Sequence, residues 1–367
     1  MNARVIAMYL PQYHPVPEND KYWGKGFTEW NNVVKARPLF PGHHQPKLPA
    51  DLGFYDLRLP EVRERQAQLA REAGVEGFMY WHYWFSNGKM VLERPFEEVL
   101  ASGKPDFPFC IGWANHSWTN KTWTKGKVFQ GDSMIFRQEY PGEEDYIAHF
   151  NYCLPAFKDR RYITVDGKPL FYIWLPADFP DVRKFLDLWR KLAVDAGLKG
   201  IHFVGARHAR DKYSIKDIID MGYDAVSNGN YNMWRAECKV RKSEIVKRGL
   251  SFLSEKLNLP LQVFNYKSII KHLSDDTDYQ ENVYPSILPG YDRSPRSGRR
   301  TQIYINNTPQ LFEKHVTDII KHVKDKNDEH KIIFLKSWNE WGEGNYIEPD
   351  SRYGDAFLKA LGRHLLS

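Results

Sequence analysis

The densest chemistry in the chain lies between Lys336 and Asp350, in KSWNEWGEGNYIEPD. Glu340 and Glu343 stand three residues apart around Trp341 and Gly342, directly after Trp338 and Asn339. No helical or strand periodicity runs through the stretch, and Gly342, Gly344 and Pro349 mark a tight loop. Two carboxyl groups on one loop suit cleavage of a glycosidic bond. One carboxylic acid protonates the departing oxygen as an oxocarbenium-like state forms, and the second carboxylate serves as nucleophile or base. Burial beside Trp338 and Trp341 is expected to raise one glutamate's pKa, while a hydrogen-bonded neighbour stays ionised. Glu348, before Pro349, is expected to anchor the loop. Glu29, beside Trp30 in KGFTEWNNV, takes either a substrate-facing or a structural role.

Those side chains need a frame that brings distant residues together. Near-continuous apolar runs at 4–10, 75–81, 107–113, 169–175, 200–206, 223–228, 283–288 and 331–337 read as buried parallel strands. Residues 59–74, 179–197, 308–326 and 355–366 carry helical spacing, the first two ending at Gly74 and Gly197. Strands alternating with helices predict an α/β fold, a (β/α)8 TIM barrel, as one catalytic domain over residues 1–367. Residues 11–58 form a long first βα loop, and residues 232–282 a basic, helical insertion after the sixth strand. No Gly-x-Gly-x-x-Gly follows the first strand, which argues against dinucleotide binding.

In such a barrel the site gathers at the C-terminal strand ends. In chain order those ends offer Tyr13 and His14; Trp81, His82 and Tyr83; Trp113, Asn115, His116 and Trp118; and Trp174. They continue with Arg207 and His208; Asn230 and Tyr231; Tyr291, Asp292 and Arg293; and finally Trp338, Asn339, Glu340, Trp341 and Glu343. Indoles, phenols, amides and imidazoles around two carboxylates describe a saccharide site, because sugar rings have apolar C–H faces and hydroxyl edges. The aromatic content of 15% fits either that site or an aromatic-rich core.

The formal charge is +6, from 52 basic against 46 acidic residues, and it is scattered. The dense run Arg293–Arg300, RSPRSGRR, has no interleaved aromatics, so it reads as a solvated or anion-facing loop and nucleic-acid binding is not expected. Cys110, Cys153 and Cys238 are far apart with no Cys-x-x-Cys, which fits a reducing compartment. His82, His116 and His208 come from separate strand ends without a local ligand motif, so neither metal nor cofactor is expected. The apolar N-terminal run is too short for a signal peptide and no later run approaches a membrane span, so a cytoplasmic location is expected.

Four long segments carry a resemblance: YLPQYHPVPENDKYWGKGFTEWNNV, HHQPKLPADLGFYDLRLPEVRERQAQLA, ERPFEEVLASGKPDFPFCIGWAN and SWNEWGEGNYIEPD. They resemble the WbsX family, glycosyltransferase-like proteins of O-antigen and capsule gene clusters. That family is related to glycoside hydrolase family 99, the endo-α-mannosidases and mannanases, which are (β/α)8 barrels. The resemblance spans about residues 4–365. It implies that Glu340 deprotonates the sugar's own 2-hydroxyl, giving a 1,2-anhydro sugar with net retention, and that Glu343 is the general acid/base. The hydrolases often carry His where Gly342 stands, and many relatives read WANENW where this chain has WANHSW around His116 and Ser117. A different subsite is expected there.

Three readings follow. The first is a retaining glycoside hydrolase, endo action included, on a surface polysaccharide or its lipid-linked precursor. The second is a glycosyltransferase or transglycosylase; its metal-binding candidate, Asp276-Thr-Asp278, reads as a solvated loop. The third is a non-catalytic carbohydrate-binding barrel, which has no need of both glutamates. The sugar, the linkage and the oligomeric state are not legible.

Overall fold

The computed structural model describes residues 3–119, 134–209, 212–241, 262–299 and 301–366. Nine short strands form its central parallel sheet: β1 (Arg4–Tyr9), β2 (Gly77–His82), β3 (Phe109–Trp113), β4 (Lys168–Ile173), β5 (His202–Ala206), β6 (Ala225–Ser227), β7 (Val283–Tyr284), β8 (Ser286–Ile287) and β9 (Ile332–Leu335). Their order is β7-β6-β5-β4-β3-β2-β1-β9-β8. The sheet curls until β7 and β8, consecutive in the chain, occupy its two ends. Pro285 separates them because proline offers no N–H to the ladder, although its carbonyl still accepts from Phe334. One expected strand, 283–288, thus pairs with β6 through its first half and with β9 through its second, nearly closing a barrel.

Each of the eight expected apolar runs contains a strand or, in that one case, two. The expected helices stand at Pro60–Glu72, Val182–Asp195, Pro309–Val323 and Ala356–Leu365. Pro60 and Pro309 occupy first-turn positions, where the missing N–H costs nothing. Thr308 caps the third, its side chain accepting from the backbone of Leu311. The strands are apolar on both faces, so the core is continuous from barrel interior to helical shell. Trp189, from the second of these helices, packs on Phe171 and Phe203 of β4 and β5. Trp113, Trp189, Trp338 and Trp341 are among the largest fully buried side chains. Much of the aromatic content is therefore core.

The insertion differs from expectation. A helix runs from Gly229 to Val240, and residues 242–261 lie outside the described residues, but Gln262–Asn265 is a strand. It pairs in parallel with Gln302–Ile305, beyond the basic run. The long first loop folds over the barrel mouth towards the last loop: Ala50 donates to the Pro349 carbonyl, and Pro49 bridges Asp350.

Candidate active site

The last loop is a small hairpin. Asn339 and Glu340 pair antiparallel with Tyr346 and Asn345, and a single 3-10 turn, Trp341–Glu343, joins them. Asn339 ties the hairpin to the chain directly after β1, its side chain accepting from Leu10 N at 2.8 Å and donating to Leu10 O at 3.0 Å. Tyr13 donates to the Asn339 carbonyl and accepts from Trp341 N. Trp341 stacks on Tyr346, with centroids 3.6 Å apart, and its indole donates to Glu348 at 2.6 Å. Glu348 also accepts from Tyr55 and Gln66 deep in the fold, which makes it the expected anchor.

One arginine organises the acids. Arg296, buried in the short helix Ser294–Ser297, donates through Nε and Nη2 to both oxygens of Glu29, each at 2.9 Å. Its Nη2 also bonds Glu340, and its Nη1 reaches Glu343 at 2.8 Å. Gly342 makes this possible: a Cβ there would stand 1.7 Å from Glu29 Oε1 and 2.8 Å from Arg296 Nε. The space that a side chain at 342 would fill is occupied by the Glu29–Arg296 pair. Gly344, at φ +54°, turns the chain against Lys47 and Asp292. Asp292 accepts from His43 and Gln45, and its N–H donates to the Glu343 carbonyl, fixing the far side of the turn.

The two catalytic candidates have opposite electrostatics. Burial pushes Glu340 up to about 7, outweighing Arg296, with Glu343 and Glu29 adding to the rise. Burial also pushes Glu343 upwards, but Arg296, Arg293 and Lys336 together bring its carboxyl below the usual range. As the side chains stand, a proton shared by the pair rests on Glu340.

Glu340 and Glu343 open onto a cavity of about 410 Å³ at the C-terminal ends of the strands. Of the predicted residues, Trp81, Tyr83, His116, Trp118 and Asn230 line it. Gln12, Trp174, Tyr291, Arg293, Arg296, Lys336 and Asn345 join them. Several lining groups are buried yet lack a hydrogen-bond partner among the described residues: Gln12 Nε2, His116 Nδ1 and both side-chain polar atoms of Asn345. Burial lowers His116 to about 4 and keeps it neutral.

The other predicted residues are not part of this lining. Glu29 is buried under Arg296, with both its oxygens accepting from that guanidinium. Trp30 packs between Tyr13, Tyr55 and Trp341. Trp338 and Asn339 support the hairpin from below. His82 turns outwards from its strand, its ring paired with His149 at 2.9 Å. Trp113 donates its indole N–H to the Trp84 carbonyl, and Asn115 braces Leu175 and Tyr140. Arg207 lies 3.5 Å from the centre of the Tyr231 ring, and His208 donates to the Trp174 carbonyl. His14 opens into a separate cavity beside Val91 and Glu93.

Sequence reasoning named Arg293 at a strand end but missed Arg296, because an arginine-rich run reads as surface. Lys336 and Asn345 lie inside the Lys336–Asp350 stretch yet carry no motif of their own. Asp278 is not solvated either. It is fully buried, accepts from Asn228 and Asn232, and caps a turn, while Asp276 alone of that pair is exposed. Among the described residues the one cluster with metal-ligand atoms close together is His82, His149 and Cys153, within 4.8 Å. Burial lowers both histidines and raises the thiol, so the cluster is stable as a neutral, hydrogen-bonded part of the core.

The same arrangement of strands occurs in solved proteins. A glycoside hydrolase-like protein matches with a TM-score of 0.60 and 17% identity, over 98% of this chain and 93% of that one. The GH99 endo-alpha-mannosidase from Bacteroides thetaiotaomicron matches at 0.54 and 15%, over 99% and 96%. Both likenesses establish a (β/α) barrel fold. By sequence, the uncharacterized protein WxcX of Xanthomonas campestris pv. campestris strain B100 is 34% identical over 366 residues. That match takes in 99% of this chain and 50% of the relative, so the chain spans about half its length. The family model described as glycosyltransferase WbsX matches residues 5–361, and the chain belongs to that family.

Proposed function

We propose that the protein is a retaining glycoside hydrolase acting on a cell-surface polysaccharide, of the O-antigen or capsule kind, or on its precursor. The observation that carries this reading is the pair Glu340 and Glu343, held by one guanidinium in the wall of an aromatic cavity and shifted in opposite directions. Unpartnered buried polar atoms on Gln12, His116 and Asn345 support a ligand dense in hydroxyls, since such groups are costly to leave without hydrogen bonds. Trp81 and Trp174 supply flat faces. The fold shared with a glycosidase supports it further.

In the route implied by the resemblance, Glu340 takes the proton from the sugar's 2-hydroxyl as that oxygen bonds to the anomeric carbon. The glycosidic bond breaks and Glu343 protonates its oxygen. Water, deprotonated by Glu343, then opens the anhydro ring, and Glu340 returns its proton to the 2-oxygen. A base poised near 7 suits the first step. The route also requires the shared proton to move to Glu343 once the sugar docks, against the opposition of Arg293 and Arg296. The converse assignment, Glu340 as acid and Glu343 as nucleophile or base, is favoured by the field as the side chains stand. Ready cleavage of a 2-deoxy substrate would select that converse. Transfer to a saccharide acceptor is a second reading, favoured by the family's description, and uses the same two glutamates.

The test is digestion of the source organism's surface polysaccharide in ¹⁸O-water. Shortened chains labelled at new reducing ends, lost in Glu340→Gln and Glu343→Gln, are the expected result. Activity that appears only when a nucleotide sugar is added would sink the hydrolase reading. Binding without turnover, equal in wild type and both variants, would make the protein a binding module.

A further inference from the structure

Besides Arg296, the cavity is lined by two further cations, Arg293 and Lys336. Arg293 lines it just after the strand-bearing segment 283–288, with about a third of its side chain exposed (33%). Its Nε lies 3.2 Å from Glu343 Oε1 but out of hydrogen-bonding alignment, and this buried nitrogen has no hydrogen-bond partner among the described residues. Lys336 stands on the adjoining wall. Its ammonium is hydrogen-bonded to Asn230, 3.5 Å from Met233 Sδ and 5.8 Å from the Trp174 ring centre. A neutral amide, a thioether and an indole leave its charge uncompensated by any contacting carboxylate.

The charges around the mouth can be counted. Arg293, Arg296 and Lys336 face Glu29, Glu340 and Glu343. Arg296 spends its donors on all three acids. When Glu340 holds a proton, Arg293 and Arg296 already balance Glu29 and Glu343, and the surplus is the Lys336 ammonium, which burial lowers and the nearby carboxylates sustain. Glu237, the other acid acting on Lys336, accepts from Tyr304 and is itself pushed up by burial.

We infer that the Arg293–Lys336 wall recognises an anionic group on the glycan, a carboxylate or a phosphate, gripped by the Arg293 fork with Lys336 as the second cation. This rests on the glycan reading above. A planar guanidinium with free donors matches either anion in a two-point contact, which an ammonium alone does not provide. The position beside Glu343 places the anion on the sugar next to the scissile bond. Arg293 and Lys336 are thus specificity-determining, in addition to lowering Glu343.

Calorimetric titration at low salt with glucose, glucuronate, glucose 1-phosphate and inorganic phosphate tests the inference. Wild type is expected to prefer one of the charged sugars to glucose by about tenfold or more, the scale of a charge-assisted hydrogen bond. That preference should shrink with added salt, fall in Lys336→Gln, persist in part in Arg293→Lys and disappear in Arg293→Gln. Glucuronate alone preferred means a uronic acid; glucose 1-phosphate alone preferred means a phosphate-linked sugar. Equal binding of glucose and both charged sugars overturns the inference. So does a preference that survives in a folded Arg293→Gln, or inorganic phosphate binding as tightly as the sugar phosphate. Anion preference without any glycan cleavage removes the hydrolase reading and leaves this inference standing. Cleavage of glycans without anion preference does the reverse.

Discussion

Arg296 is a single side chain on which three carboxylates depend, and its removal tests the site at the smallest scale. A buried ion pair adds little to stability when intact, but breaking one side leaves an uncompensated charge and costs about 3–5 kcal/mol. Arg296→Ala is therefore expected to lower unfolding stability by about that amount, because Glu29 has both oxygens committed to it and is fully buried. Glu29→Gln in the same background should recover part of the loss. A denaturation midpoint for Arg296→Ala equal to wild type would show that the network is not formed in solution. Gly342→Ala addresses the same pair from the other side. Its Cβ would overlap Glu29 Oε1, so a loss of roughly 1–3 kcal/mol and of most activity is expected. The double change with Glu29→Ala should cost less than the sum of the two singles, as contacting residues couple.

At the scale of elements, the hairpin is held by Glu348, and this hold depends on pH. Burial lifts Glu348 to about 7 even though Trp341, Gln66 and Tyr55 donate to it. Its unfolded value is near 4.5. Between those two pH values the folded protein keeps a proton that the unfolded chain has released, so unfolding free energy falls as pH rises through the window. Glu348→Gln, neutral throughout, should flatten the decline measured by denaturant titration from pH 4.5 to 7. It should not abolish it, since Glu340 shares the window. An unchanged slope would mean that Glu348 is ionised in the folded state. The elements themselves were largely legible. Period and composition gave the eight apolar runs and four of the helices because burial on both faces leaves a plain signature. The break at Pro285 and the strand Gln262–Asn265 were not, since both depend on pairing with residues distant in the chain. Glu340 and Glu343 were legible because two acids on a glycine-rich loop have few structural uses. Arg296 and Lys336 acquire their meaning from neighbours supplied by the first loop and the inserted helix, Glu29 and Asn230, which no local pattern encodes.

At the scale of the molecule, the site is built by parts far apart in sequence, and this sets a last expectation. The first loop and the last loop are joined by Asn339 to Leu10 and Tyr55, by Tyr13 to Asn339 and Trp341, and by Arg296 between Glu29 and Glu340. If these bonds make one cooperative unit, the two loops should open together and not one by one. Asn339→Ala removes three of them at once in a fully buried position, leaving Leu10 N and O unpaired. Each buried group left unsatisfied costs about 1–3 kcal/mol, so the loops should lose protection well before the barrel does. Hydrogen exchange followed by mass spectrometry is expected to show peptides from 11–58 and 336–350 gaining deuterium at one common rate in the variant. Peptides from β4 and β5 and from the helix Val182–Asp195 should stay at wild-type rates. Faster exchange in the last loop alone would separate the two. The first loop would then be a cover over the site, and the pairing of Glu29 with Arg296 would not be what holds the acids in place.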